Sequence, residues 1–387
     1  MRLGCPRAAG RFLAAVLMLA VAGCQSDKAA DVLDPAAIAP AGQNASLSST
    51  ASIGTGPAKV AVLLPFSASG ADAASARDIH DGVALAMDDL GKDRLTINFI
   101  DTPADSEKAR MSALKAMADG AAAVIGPFQP GAAAGVAAIR GGQQHAPIFL
   151  MNDAARGQGG VYTVPLDAGS SLATAVDALA RKGSRNFLLV LPEGKSAPTI
   201  ERAVDFAAAN HGGRLVAKAR FTGQASVQAA VDTVFAVMAT PDAVVVDAGD
   251  LSPAVVDAVR AKRRDVPIVV ASNYGDAANP SLEGVLVADI DRREMGAVSG
   301  RYQARFGRPM APLAAYAYDV VALLAGVEGA IGVKGFVPPI IENGQGYRGT
   351  TGLFRFRADG SAQRLLPLYR LKKGQFVQVA PAAAKFQ

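Results

Sequence analysis

The stretch Lys59-Val60-Ala61-Val62-Leu63-Leu64-Pro65-Phe66-Ser67 carries five consecutive apolar residues and then stops at a proline. A strand with one wet face alternates apolar and polar side chains, so an unbroken run of this kind belongs to a strand covered on both faces. Further strand candidates are Leu95–Ile100, Ala122–Ile125, Ile148–Met151, Phe187–Leu191, Leu215–Phe221, Ala243–Val246, Ile268–Ala271 and Val285–Ala288, most of them continuous apolar runs. Between them the spacing turns helical, as in Ile79, Val83, Met87 and Leu90, and again in Tyr316, Val320, Leu323 and Val327. This alternation predicts an α/β fold of parallel strands joined by crossover helices. Four strands precede Pro165 and five follow, with two more helices between Met295 and Val333, which is too much for one small sheet and fits two lobes. A last segment, Thr351 to Val379, reads as strands joined by turns at Asp359-Gly360 and Lys373-Gly374.

Toward the amino end, Gln25 to Pro57 is rich in Ala, Ser, Pro, Asp and Gly and cannot bury enough surface to fold; residues 24–57 are expected to be a tether. Before it, Arg2, Arg7 and Arg11 lead into an apolar run, Phe12 to Val21, that ends in small residues. The run is about half the ~20 residues of a membrane-spanning helix, so residues 1–23 read as a cleavable signal peptide. Val21-Ala22-Gly23-Cys24 resembles a bacterial lipobox, which makes Cys24 the expected lipidation site and new amino terminus. No second long apolar run is read downstream.

The chain has 387 residues and only two cysteines, Cys5 and Cys24, so a mature exported domain would fold without a disulfide. About 360 mature residues suffice for one or two hydrophobic cores. The formal charge of +5 loses three signal arginines and falls to +2, which implies no nucleic acid partner.

The order and spacing of several short motifs resemble the leucine-binding-protein type of periplasmic receptor. They are Lys59 to Ser67, Arg77-Asp78-Ile79-His80-Asp81-Gly82, Ala123-Val124-Ile125-Gly126-Pro127, Ala146-Pro147-Ile148-Phe149-Leu150 and Ala315-Tyr316-Ala317-Tyr318-Asp319. Tyr347-Arg348-Gly349-Thr350-Thr351-Gly352 and Phe354 to Gly360 complete the series. The resemblance implies a periplasmic-binding-protein type I fold: two Rossmann-like lobes with three interlobe crossings, near Pro165, Asp289–Asp291 and Gly349. Lobe 1 would then hold residues 58–165 and 290–348, and lobe 2 residues 166–289 and 349–380. The ligand would lie between lobes, beyond the carboxyl ends of the strands.

Family members that bind amino acids use serine or threonine hydroxyls in two lobe 1 loops, and this chain departs there. The first loop reads Pro127-Phe128-Gln129-Pro130-Gly131 and the second Met151-Asn152-Asp153-Ala154-Ala155. The remaining candidates for ligand contact are Ser67, Ser69, Gln129, Asn152 and Asp153 in lobe 1, with Glu193, Asp247, Asn273 and Tyr274 in lobe 2. Turn chemistry alone also places such residues at strand ends. Asn152-Asp153 and Asn273-Tyr274 form the favoured pair, with Tyr274 offering a ring to stack.

Catalytic and cofactor signatures are not read. His80, His145 and His211 show no paired ligand spacing, so neither a metal nor a cofactor is expected. Gly344-x-Gly346-x-x-Gly349 fits a dinucleotide pattern but leads into a strand, and no nucleophile elbow occurs. The expected protein is a non-enzymatic lipoprotein of the periplasm with a small polar ligand, and two partners are open. One is an ABC transporter permease, served by a solute receptor. The other is a peptidoglycan synthase, by resemblance to the penicillin-binding-protein activator lipoproteins. Gln25 stands where an inner-membrane retention signal would place Asp, so the lipid anchor is expected in the outer membrane.

Overall fold

The computed structural model describes residues 52–139, 146–153 and 159–386. The expected signal peptide, the lipidated Cys24 and most of the expected tether lie outside the described residues. The tether was expected to reach Pro57, but Ser52–Ile53 already forms a strand, β1.

From β1 the first lobe continues with β2 (Ala58–Leu64), α1 (Gly70–Ala86), β3 (Leu95–Asp101), α2 (Ser106–Ala118), β4 (Ala123–Ile125), α3 (Pro130–Ala137), β5 (Ile148–Leu150) and β6 (Val161–Thr163). Its sheet runs β1-β3-β2-β4-β5-β6, parallel except for β1, which pairs antiparallel to β3. The apolar run of β2 serves two faces. Val60, Val62 and Leu64 join one core with α1, while Ala61 and Leu63 join another with α2 and α3. That double burial is why the strand carries no polar alternation.

After β6 the chain enters the second lobe with α4 (Ala168–Arg181), β7 (Asn186–Pro192), α5 (Ala197–Ala209), β8 (Arg214–Phe221), α6 (Gln224–Val237), β9 (Ala243–Val246), α7 (Ser252–Lys262), β10 (Ile268–Val270) and β11 (Leu286–Ala288). Here too the first strand feeds both faces: Leu188 and Val190 of β7 point to one core, Phe187, Leu189 and Leu191 to the other.

The chain then returns to the first lobe through α8 (Arg292–Phe306) and α9 (Pro312–Ile331). A Cβ on Gly82 of α1 would stand 2.2 Å from the carbonyl oxygen of Ala314, so only glycine lets α1 and α9 approach this closely. By length and composition α9 could cross a bilayer, contrary to the expectation of no second long apolar run. Its buried residues, Ala314 to Val321 among them, make it a core helix instead.

A short α10 (Pro338–Ile341) leads to a separate three-stranded sheet, β12 (Tyr347–Gly349), β13 (Gly352–Phe356) and β14 (Ala362–Arg364). The expectation placed residues 349–380 in the second lobe. Instead Phe354 and Phe356 are buried in the first core, against Phe149 and Tyr162. Only β15 (Leu368–Lys372) and β16 (Gln375–Ala380) join the second sheet, whose order is β16-β15-β11-β10-β9-β7-β8. The third crossing therefore follows Arg364, not Gly349.

Candidate functional site

In each lobe the second strand lies on one side of the first and the third on the other: β3-β2-β4 and β8-β7-β9. The connections diverge at these points and leave a crevice at the carboxyl ends of the strands, where open parallel sheets take ligands. The bordering loops are 65–69 and 126–129 in the first lobe, 193–196 and 247–251 in the second.

In the first lobe, the backbone N–H and Oγ of Ser67 donate to Asp101 Oδ1, at 3.3 and 3.4 Å. Ser69 is exposed at the N-cap of α1 and makes no cap bond. Gln129 is buried at the N-cap of α3; its Nε2 donates to Asp72 in the first turn of α1, and its Oε1 has no protein partner. Asn152 donates from Nδ2 to the carbonyl of Phe128 at 2.8 Å, which ties the loops after β4 and β5 together. Asp153 follows on the exposed rim.

In the second lobe, exposed Glu193 extends the β7–β8 ladder, its N–H donating to Phe221 at 2.8 Å. Asp247 follows β9 directly and is only 5% exposed, with Oδ1 accepting from Asn273 Nδ2 at 3.1 Å. Burial pushes the Asp247 carboxyl up, the Asn273 bond opposes this, and the charge on Asp153 raises it further. That repulsion brings a charge of the first lobe to bear on a carboxyl of the second.

Tyr274 does not serve as expected. Its ring is 5% exposed and packs within the second core, 6.3 Å from the ring of Phe376, so it offers no face for stacking. Thus Gln129, Asn152 and Asp153 come together, Asp247 and Asn273 come together, and the charge of Asp153 in the first set acts on Asp247 in the second. Ser69 and Glu193 join neither set through any hydrogen bond of their side chains.

Sequence reasoning missed Asp72 and Asp101, which hold Gln129 and Ser67, and the polar group where the chain crosses between lobes. There Asp319 of α9 accepts from Thr350 N (2.6 Å), Thr351 N (3.0 Å) and Thr351 Oγ1 (2.5 Å). Burial pushes this carboxyl up, while the Thr351 and Thr350 donors and the Arg364 charge pull it down. Arg364, 6% exposed, lies 4.7 Å from the ring centre of Tyr316 and 5.2 Å from that of Phe354, and its guanidinium nitrogens have no protein hydrogen-bond partner. Burial pushes Tyr316 up to about 12. Nearby, Arg292 pairs with Asp289 and stacks 4.2 Å over Phe376, tying the start of α8 to the second lobe. Asp319, Thr350 and Thr351 all occur in recognisable motifs, but a separation of 31 residues carries no sign of contact.

Two cavities lie away from the strand ends. One of about 580 Å³ is set between α9 and residues 339–349, lined mainly by apolar side chains such as Leu323, Val327 and Ile340. Another of about 280 Å³ borders the amino end of β10. Neither brings together the candidate polar residues. Among the described residues no group of three or more His, Cys, Asp or Glu side chains could hold a metal ion.

A family profile described as periplasmic binding protein matches residues 57–375. No curated protein sequence matches the chain. Among solved structures, a branched-chain amino acid ABC transporter periplasmic ligand-binding protein of Burkholderia xenovorans is 18% identical with a TM-score of 0.68, covering 84% of this chain and 94% of its own. An ABC transporter solute binding protein of R. palustris in complex with benzoate is 21% identical with a TM-score of 0.61, covering 85% and 98%. A branched-chain amino acid transporter substrate binding protein of Streptococcus pneumoniae in complex with isoleucine is 18% identical with a TM-score of 0.60, covering 84% and 99%. At these identities the likeness is one of fold. None of these comparisons supports an activator that contacts a peptidoglycan synthase.

Proposed function

The chain belongs to the periplasmic binding protein family, and from that membership we propose that it is a non-catalytic solute receptor that binds a small polar ligand between its lobes and delivers it to an ABC transporter permease. The observation that carries this reading is the pair of switch points, β2/β4 and β7/β9, with the charge of Asp153, after β5 of the first lobe, acting on Asp247, after β9 of the second. Only a ligand that touches both lobes can favour a closed form over an open one, and this crevice offers polar groups from both. The solutes of the structural neighbours, benzoate and isoleucine, support a ligand of that size. Cys24 would carry the lipid that holds the receptor to a membrane, the outer one on the reading of Gln25.

The test is thermal unfolding of the unacylated chain, residues 24–387 with Cys24→Ser, against amino acids, aromatic acids, amines, short peptides and muropeptides. A ligand at a hundred times its Kd adds about 2.7 kcal/mol. A domain of this size unfolds with an entropy of roughly 0.7 kcal/mol/K, so the midpoint should rise by about 4 °C. The absence of a shift with every solute would overturn the receptor reading.

A further inference from the structure

At the amino ends of β10 and β11, the pole of the second lobe away from the crevice, the cavity of about 280 Å³ is lined by Arg260, Arg264 and Arg370. These arginines come from different elements: the last turn of α7, the loop before β10, and β15. A basic residue in the last turn of a helix complements its dipole, which accounts for Arg260 but for neither of the others. Two of the guanidiniums are fixed by main chain. Arg260 donates from Nη1 to the carbonyl of Ser281 at 2.6 Å and from Nη2 to that of Glu283, and Arg370 donates from Nη1 to that of Gly284 at 3.1 Å. The carbonyls of this one loop orient both groups without neutralising either, and each keeps N–H donors to spare, since a guanidinium carries about five.

Among the described residues Arg260, Arg264 and Arg370 form no ion pair with a carboxylate. Two acids share the lining, Asp265 and Glu283. Both are exposed, where water and salt screen them, and Glu283 already accepts from the backbone N–H of Lys373 at 2.7 Å. Arg260 and Arg370 are half-buried, so their charge is screened less. Arg263, Lys372 and Lys373 stand next to the lining in sequence and are exposed, which gives the surroundings the same sign. Lys262 is taken by Asp232 of α6, at 2.8 Å.

We propose that this cavity is a further binding site, for a phosphate group. Guanidinium forks match phosphate oxygens, and arginines from three elements suit a tetrahedral anion better than a planar carboxylate, which a single fork satisfies. The volume falls just below the roughly 300 Å³ at which pockets for drug-sized ligands begin, room for a phosphate with a small substituent such as glycerol. A free phosphoester and the headgroup of an anionic lipid both present this group. The site lies outside the crevice and does not depend on the receptor reading.

Two measurements on the unacylated chain (Cys24→Ser) test it. One is isothermal titration at fixed ionic strength with inorganic phosphate and glycerol 3-phosphate, with acetate as the contrasting anion. The other is co-sedimentation with vesicles of phosphatidylglycerol or of phosphatidylcholine. The expected result is saturable binding of at least one phosphate probe, free or on phosphatidylglycerol, and none of acetate. Arg370→Gln should weaken that binding by at least about tenfold and Arg264→Gln by at least about threefold, the scale of one charge-assisted contact. Arg263→Gln removes the same charge outside the lining and should change it by less than about twofold. Circular dichroism establishes that the variants are folded; should Arg370→Gln fail to fold, Arg264→Gln carries the test. With those losses, binding of a free probe supports the site with a soluble phosphoester as its source, and binding to phosphatidylglycerol vesicles alone supports it with a lipid headgroup. Equal losses in Arg263→Gln and Arg264→Gln, or none in Arg264→Gln and Arg370→Gln, overturn the cavity as the site. Acetate bound as tightly as phosphate overturns the ligand class, and binding of no phosphate probe overturns the proposal.

Discussion

Substituting Gly349→Ala should break the polar lock between α9 and the third sheet. A Cβ at this position would stand 2.5 Å from both Cγ and Oδ2 of Asp319 and 2.6 Å from Oδ1. Ordinary contact needs about 3.5 Å, so the carboxylate would have to retreat by roughly 1 Å. It cannot do so freely, because its two oxygens accept from Thr350 N, Thr351 N and Thr351 Oγ1, all on buried residues. The hydroxyl can rotate to another acceptor, but the two amides cannot. Each buried donor left unsatisfied costs about 1–3 kcal/mol, and alanine returns about 0.4–1 kcal/mol by restricting the unfolded chain. For the two amides the net expected loss is about 1–5.5 kcal/mol, a fall in Tm of roughly 1.5–8 °C for a domain of this size. Differential scanning calorimetry of Gly349→Ala, Asp319→Ala and the double variant forms a cycle in which the alanine methyl should cost under about 0.5 kcal/mol once the carboxylate is gone. A single variant within 1 °C of the parent, or an equal loss in both backgrounds, would refute the steric argument.

The other expectations concern charge and core. Asp247→Asn should raise the stability of the ligand-free protein at neutral pH. Burial lifts the Asp247 carboxyl, so its contribution to stability is full below the unfolded value and is lost as pH rises through the folded one. A midpoint gain of about 1–2 °C at pH 7 that vanishes near pH 4 supports this, and an equal gain at both pH values contradicts it. Glu201 behaves oppositely: burial pushes its carboxyl up, but the bonds from Lys218 and Arg220 outweigh that and hold it below the ordinary value. Glu201→Gln should therefore cost about 1 kcal/mol at pH 7, discounted for the exposed lysine, with the difference from the parent closing as pH falls below about 4. Urea titrations at the two pH values check it. Phe356→Ala should cost about 3–5 kcal/mol by leaving a cavity beside Phe149 and Tyr162. Hydrogen exchange should then rise in the first lobe, in β5 and β6; a rise confined to β7–β11 would show that the third sheet had been assigned to the wrong core.

What could be read from sequence was what burial dictates locally. Val60–Leu64 and Phe187–Leu191 had to be apolar on both sides because each feeds two cores, and that leaves an unbroken run. β6 and β14 escaped because Val161–Thr163 and Ala362–Arg364 are short and carry polar residues, whereas the equally short β5 and β10 are wholly apolar. The third crossing was misplaced although a signal existed. Leu353-Phe354-Arg355-Phe356-Arg357 alternates, as a strand with one wet face does, and Phe354 and Phe356 commit that face to the first core before the chain leaves it.

The crevice was legible in position but not in chemistry, for a reason that lies in range. Residue type and spacing locate Ser67, Gln129, Asn152 and Asn273 at strand ends, where each reads as a candidate for ligand contact. Their partners lie at separations of 34, 57, 24 and 26 residues, beyond any helical or strand period. Tyr274 shows the same limit, since its ring is claimed by Phe376 of β16, about a hundred positions away and in contact only because β15 closes the second sheet beside β11. Once those contacts are formed, these side chains have fewer donors left for a ligand than their types alone suggest. What the crevice can offer a solute follows from which donors the fold has already used, so two receptors with the same strand-end residues could select different solutes.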